Sequence, residues 1–166
     1  MNSVALAVLI DAMRFQCRLR ELAFFEPSST AERLGRIAAS IERLSAGRYL
    51  IGLGPNCNEL IRVGAYPIRF GRHASVLEEP HEMIIDYAVN DASLHGPREV
   101  SRYHCTIDPT TSIDSECVLI DEGSSTGTWL QPASQRIEPH DRVTITHGAM
   151  FSLGPSAANL FLLIAV

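Results

Sequence analysis

The sequence predicts a mainly β chain, a sandwich or barrel of short strands preceded by two amphipathic helices. Three observations carry this. Apolar residues recur at three- and four-residue steps before Gly47, and alternate or cluster in short runs after it. Turn signals rich in Gly, Pro, Asn, Asp and Ser then return about every eight to twelve residues, the spacing of a sandwich or barrel. Hydrophobic residues make up 46% of the 166-residue chain and charged residues 20%, which suits a packed core and argues against general disorder. The length suits one domain with an appendage, and the change of period places the boundary between residues 1–47 and 48–166.

The elements follow in order. Leu6, Leu9, Ile10, Met13 and Cys17 form the stripe of a first helix, with Arg14, Arg18 and Arg20 largely outside it. Ser29-Thr30-Ala31-Glu32 is a capping box for a second, with Pro27 just before it. Leu34, Ile37, Ala38, Ile41 and Leu44 line its buried face, Glu32 and Arg36 pair on the outside, and Gly47 stands where a C-cap glycine belongs. Residues 48–53 and 58–63 read as strands around Gly54-Pro55-Asn56. Residues 65–70 form a third, edge-like at its start because Pro67 lacks a donor. Residues 83–87 are another short apolar run, and 88–98 read as a loop. Across 100–107 Tyr103, Cys105 and Ile107 share one face, and Arg102, His104 and Thr106 the other. Residues 117–120, 128–130, 143–145 and 149–153 follow, and 160–166 is a continuous apolar run suited to a strand buried on both sides.

Composition excludes several classes. The net charge of −5 argues against nucleic-acid binding through the overall field, though not against a local basic pocket. Cys17, Cys57, Cys105 and Cys117 make no C-x-x-C pair, so reduced, mostly buried thiols in an intracellular protein are expected, cytoplasmic or nuclear. No positive residue precedes the apolar stretch 3–10 and Asp11 interrupts it, which does not fit a signal peptide. The run 160–166 is too short to cross a bilayer as a helix. His73, His81, His95, His140 and His147 show no ligand spacing, so no metal or other cofactor is expected.

Three strings carry the functional signal: Phe70-Gly71-Arg72, Val100-Ser101-Arg102-Tyr103-His104 and Asp121-Glu122-Gly123-Ser124-Ser125-Thr126-Gly127-Thr128-Trp129. Together they offer guanidinium groups, hydroxyls and turn N–H groups, the equipment for holding a phosphate dianion. Their order and spacing resemble the forkhead-associated (FHA) domain family over about 48–166. The resemblance implies an FHA-like antiparallel β-sandwich with an N-terminal two-helix extension. It implies a non-catalytic module that binds a threonine-phosphorylated protein, with Arg72 and Ser101 on the phosphate, Arg102 beside the phosphopeptide, Ser125 near the phosphothreonine and Thr126 among the phosphopeptide-binding residues. His104 is implied to brace the binding loops, with Gly71, Gly127 and Thr128 as further support.

Two departures stand out. The family's later motif usually reads Ser-x-Asn-Gly-Thr, and Thr126 replaces the asparagine that holds the peptide backbone. Threonine keeps a hydroxyl but loses the amide's paired donor and acceptor. Before Ser101, Arg98 is followed by Glu99, so the basic side chain that some members place there is displaced.

Catalysis has little support in the sequence. Ser101 and His104 lie three apart on an expected strand and point to opposite faces. No G-x-S-x-G elbow and no P-loop is present. The helices before Gly47 are expected to pack on each other and on the sandwich. The sharper alternative makes them a docking or self-association element anchored by Leu22, Phe24 and Phe25. An alternative for the whole chain is a scaffold subunit whose contacts do not depend on phosphate.

Overall fold

The computed structural model describes residues 39, 41–54, 60–72, 85–89, 98–109, 113 and 115–166. Among the described residues, eleven strands form two sheets: β1 (Arg48–Gly52), β2 (Leu60–Val63), β3 (Ile68–Arg72), β4 (Tyr87–Val89), β5 (Cys105–Asp108), β6 (Cys117–Asp121), β7 (Thr128–Gln131), β8 (Gln135–Arg136), β9 (Arg142–Ile145), β10 (Met150–Leu153) and β11 (Leu160–Ala165). One sheet runs β2-β1-β11-β10-β7-β8 and the other β4-β3-β5-β6-β9.

The apolar sequence of β11 makes it the spine of the first sheet. Successive side chains point to opposite faces, so a strand that is apolar throughout must be covered on both. Phe161 and Leu163 face the second sheet, while Leu160, Leu162 and Ile164 face outward, and all five are fully buried. The core between the sheets centres on Phe161. Its ring meets Phe70 at 5.4 Å edge-on and Phe151 at 5.4 Å stacked. Phe70 brings β3 into the same cluster, which fixes the end of that strand against the core.

The outer face of the first sheet is also apolar. Tyr49, Ile51, Leu53, Met150, Leu160, Leu162 and Ile164 form a second cluster with Ile41, and Leu44 packs against it. Ile41 has helical backbone and is 6% exposed. The two expected helices up to residue 38, with Leu22, Phe24 and Phe25, lie outside the described residues. Removing residues 1–46 takes Ile41 and Leu44 from this face. The expected result is a loss of at least about 2–5 kcal/mol, the cost of truncating one buried Ile or Leu, with self-association through the uncovered sheet. A truncated chain that stays monomeric with an unchanged melting temperature would show that the sandwich needs no cover.

The structure corrects four local expectations. Gly47 exchanges two backbone hydrogen bonds with Val166, at 3.1 and 2.9 Å, and so extends the β1–β11 ladder rather than capping a helix. Its φ of 152° is far from the left-handed value of a C-cap. β4 reaches past Tyr87 to Val89 and pairs parallel to β3, the one parallel pair among the described strands. β5 begins at Cys105 rather than near Val100. β8 was not expected, because Gln135 and Arg136 are both exposed and offer no alternation.

Cys105 and Cys117 are buried free thiols, as expected, while Cys17 and Cys57 lie outside the described residues. Burial pushes the Cys105 thiol well above its ordinary value, and the nearby Asp121 and Glu122 carboxylates push it further. Among the described residues, no helix is long and apolar enough to cross a membrane.

Candidate functional site

The site is built where β3 ends, where 98–104 leads into β5, and where the β6–β7 and β10–β11 turns come together. Gly71 sets the first approach. A Cβ there would collide with the carbonyl oxygen of Arg102, so only glycine lets the two segments lie this close. The Arg72 N–H then donates to the Ser101 carbonyl at 3.0 Å, and the His104 N–H to the Phe70 carbonyl at 2.8 Å. Segment 101–104 therefore lies beside the end of β3. Arg72 is half-buried and Arg102 exposed.

His104 is fully buried and ties three segments together. Its Nδ1 lies 3.1 Å from the Ser101 backbone N–H, which can only donate. Nδ1 is therefore the acceptor, and the ring proton sits on Nε2, where it donates to the Gly127 carbonyl at 3.1 Å. The Gly127 carbonyl also accepts from the Gly154 N–H at 3.0 Å. Ser101 and His104 thus meet in a turn rather than on opposite faces of a strand. Both ring nitrogens are engaged with backbone, which leaves no imidazole base for the Ser101 hydroxyl.

The hydroxyls converge across two loops. Ser101 Oγ accepts from the Ser125 N–H at 3.0 Å. Its own proton faces Ser125 Oγ at 3.5 Å, the outer limit of a hydrogen bond, and can swing to a better acceptor. Ser125 is exposed and Ser101 half-buried. Two hydroxyls at the end of a strand that finishes in arginine can complete the oxygen shell of a bound anion.

The β6–β7 turn is organised by Asp121, which is fully buried. One carboxylate oxygen accepts from the N–H groups of Gly123 and Ser124 at 3.0 and 2.9 Å. The other accepts from the hydroxyls of Ser124 and Thr128, both at 2.7 Å. Ser124 Oγ in turn accepts from the Gly127 N–H at 3.0 Å. Burial pushes the Asp121 carboxyl upward, but the hydrogen bonds from Thr128 and Ser124 outweigh it and hold the group below its ordinary value. Asp121 enters the sequence reading only as the first residue of the third string. The signal for more was present, since an aspartate two and three residues before free N–H groups is an Asx-turn pattern.

Thr126 and Glu99 lock together. The Thr126 hydroxyl donates to the Glu99 carbonyl at 2.5 Å, and the Trp129 indole N–H donates to the Thr126 carbonyl at 2.9 Å. The Glu99 carboxylate accepts from the Ser156 hydroxyl at 2.6 Å, which brings in the β10–β11 turn that no sequence motif marked. On the outer side of the site, the Thr106 hydroxyl donates to Glu122 at 2.5 Å, so Tyr103 must donate to Thr106 at 2.8 Å. Among the described residues, no group of three or more His, Cys, Asp or Glu side chains could hold a metal ion.

The family model "FHA domain" matches residues 68–154, just over half of the chain and all three strings. An FHA domain of a Chlamydia trachomatis protein has a TM-score of 0.52 at 22% identity, covering 72% of this chain and 97% of its own. The FHA domain of an Arabidopsis thaliana hypothetical protein has 0.53 at 23% identity, covering 74% and 87%. A third structure, from a structural and functional analysis of phosphothreonine-dependent FHA domain interactions, has 0.50 at 14% identity, covering 72% and 96%. No curated protein is significantly similar to the chain in sequence.

Proposed function

We propose that this chain, which belongs to the forkhead-associated (FHA) domain family, binds partner proteins through a phosphorylated threonine and makes or breaks no bond. Membership of the family supports a phosphoprotein-binding module in general, and FHA domains are generally non-catalytic. The finer reading, threonine as the phosphorylated residue, draws support from the phosphothreonine-dependent interactions ascribed to one structural neighbour.

The observation that carries the proposal is the placement of Ser101. Its hydroxyl is pinned by the Ser125 N–H, its backbone N–H by the buried His104, and its carbonyl by the N–H of Arg72. A donor fixed in this way needs little reorganisation to meet a phosphate oxygen, and the Arg72 guanidinium supplies the fork of charge-assisted donors. In this reading Arg72, Ser101 and Ser125 contact the phosphate, Arg102 lies beside the peptide, and Gly71, His104, Gly127 and Thr128 hold the loops. Thr126 departs from the family role. Its hydroxyl is taken up by Glu99, so it fixes a loop instead of gripping the peptide backbone. We further propose that residues 1–47 form an extension that covers the outer sheet, with the FHA domain proper in 48–166. The protein would act inside the cell, where kinases supply its partner.

One experiment tests the function. A phosphothreonine peptide library is titrated beside its phosphoserine and unphosphorylated twins. The expected result is binding by phosphothreonine peptides, about fivefold or more weaker binding by the phosphoserine twin, which lacks the γ-methyl and its roughly 1–3 kcal/mol of contact, and none by the unphosphorylated one, which loses charge-assisted bonds at roughly 1.5–3 kcal/mol each. A library with no phosphate-dependent binder would overturn the proposal in favour of a scaffold subunit.

A further inference from the structure

We infer that Arg136 reads an anionic group, a carboxylate or a second phosphate, flanking the phosphothreonine on the bound peptide. The inference rests on the phosphothreonine reading above and names what that site selects.

Arg136 ends the two-residue strand β8 and stands opposite Trp129 in the β7–β8 ladder. That pairing carries its side chain back over the β6–β7 turn. Gly127 has a φ of +86°, and a Cβ there would collide with Arg136 Nε and lie 3.0 and 3.1 Å from its Cδ and Cγ. The stem of Arg136 therefore lies on Gly127, two residues from Ser125. The residue is exposed, and among the described residues no hydrogen bond or ion pair engages its guanidinium.

An exposed arginine is most often a solvated surface charge. Two features set this one apart. Its stem is seated on the turn that carries Ser125, which holds it over the place a bound peptide must cross. Thr126, the neighbouring side chain on that turn, is already hydrogen-bonded to Glu99 and cannot recognise a peptide with its proton. On a chain of net charge −5, the selective group left on this turn is a cation. An extended peptide anchored by its phosphate at Ser101 and Ser125 places a flanking residue over Thr126 and Gly127. There the guanidinium fork meets a carboxylate or phosphate in bidentate fashion.

The test uses the full chain and a phosphothreonine peptide whose flanking positions are varied in turn among Ala, Asp, Lys and phosphoserine. At one flanking position the wild type should prefer Asp over Lys by about fivefold, the reach of an exposed charge pair of about 1 kcal/mol. Phosphoserine should exceed Asp there if a second phosphate is the natural group, and match it if a carboxylate is. Arg136→Ala should bring Asp and Lys within twofold, and Arg136→Glu should invert the order. The preference should shrink as salt rises. A wild type that binds phosphothreonine but is indifferent to flanking charge, or an Arg136→Glu variant that keeps the wild-type order, overturns the inference and leaves the function standing. A wild type that binds none of the phosphothreonine peptides overturns both.

Discussion

Replacing Arg72 with alanine is expected to weaken phosphothreonine-peptide binding by at least about tenfold while leaving the fold intact. The binding loss follows from removing charge-assisted hydrogen bonds worth roughly 1.5–3 kcal/mol each, a factor of about ten or more in affinity. The fold should tolerate the change because Arg72 ends β3 and is only half-buried. A partly exposed charge contributes at most about 1 kcal/mol, which for a chain of this size moves the melting temperature by roughly 2–4 °C. Arg72→Lys keeps the charge and loses the planar fork, so it should fall between wild type and alanine. Ser101→Ala should resemble Arg72→Ala in binding. His104→Ala behaves differently. It strands the Ser101 N–H and takes one of two donors from the Gly127 carbonyl around an emptied buried site, so both binding and melting temperature should drop. Titration calorimetry beside thermal melts separates the two patterns. An Arg72→Ala protein that binds with full affinity would place the phosphate elsewhere.

These contrasts rest on information that was unevenly legible in the sequence. Strand order along the chain was readable because apolar alternation and turn residues are local signals, and β1, β6, β7, β9, β10 and β11 all fall within two residues of their expected bounds. Segment 100–104 was misjudged because it alternates like a strand. The Ser101 backbone groups, however, go to the His104 ring and to the end of β3, and the segment rejoins the edge of the β5–β6 ladder at the His104 carbonyl, which accepts from the Glu122 N–H at 2.9 Å. Gly71 and Arg72 were legible as a pair, but the reason for the glycine is a tertiary collision with Arg102 that no local rule contains. The same holds for Glu99. From the sequence it is an acid intruding beside Ser101. In the fold its carboxylate is bound to Ser156 and its carbonyl to Thr126, contacts that span 57 and 27 residues. Arg136 was invisible for a related reason. Its place over Gly127 depends on the register of β7 with β8, a strand too short and too polar to be seen.

Asp121→Ala is expected to have the largest effect on stability. Asp121 carries four hydrogen bonds from the turn it closes. Alanine leaves those donors, three of them in buried hydrogen bonds, facing no acceptor, at a cost of about 3–5 kcal/mol by analogy with breaking one side of a buried charged network, or roughly 6–20 °C in melting temperature for a chain of this size. Asp121→Asn keeps one oxygen for the Gly123 and Ser124 N–H groups but turns an NH2 toward the Ser124 and Thr128 hydroxyls, so it should lose less. The carboxylate's charge gives the effect a pH signature. Its folded pKa lies below the ordinary value of 3.8, so its stabilisation is fully present above that value and is lost as the pH falls through the folded pKa. Thermal melts from pH 7 to pH 3 should therefore show a constant gap between wild type and Asp121→Asn down to about pH 5, narrowing below about pH 4. A gap that stays constant to pH 3 would mean that shape, not charge, holds the turn. Because the same turn presents Ser125, its loosening should also weaken phosphopeptide binding. That loss should track the fall in stability across the Asn and Ala variants, whereas the loss in Arg72→Ala should not.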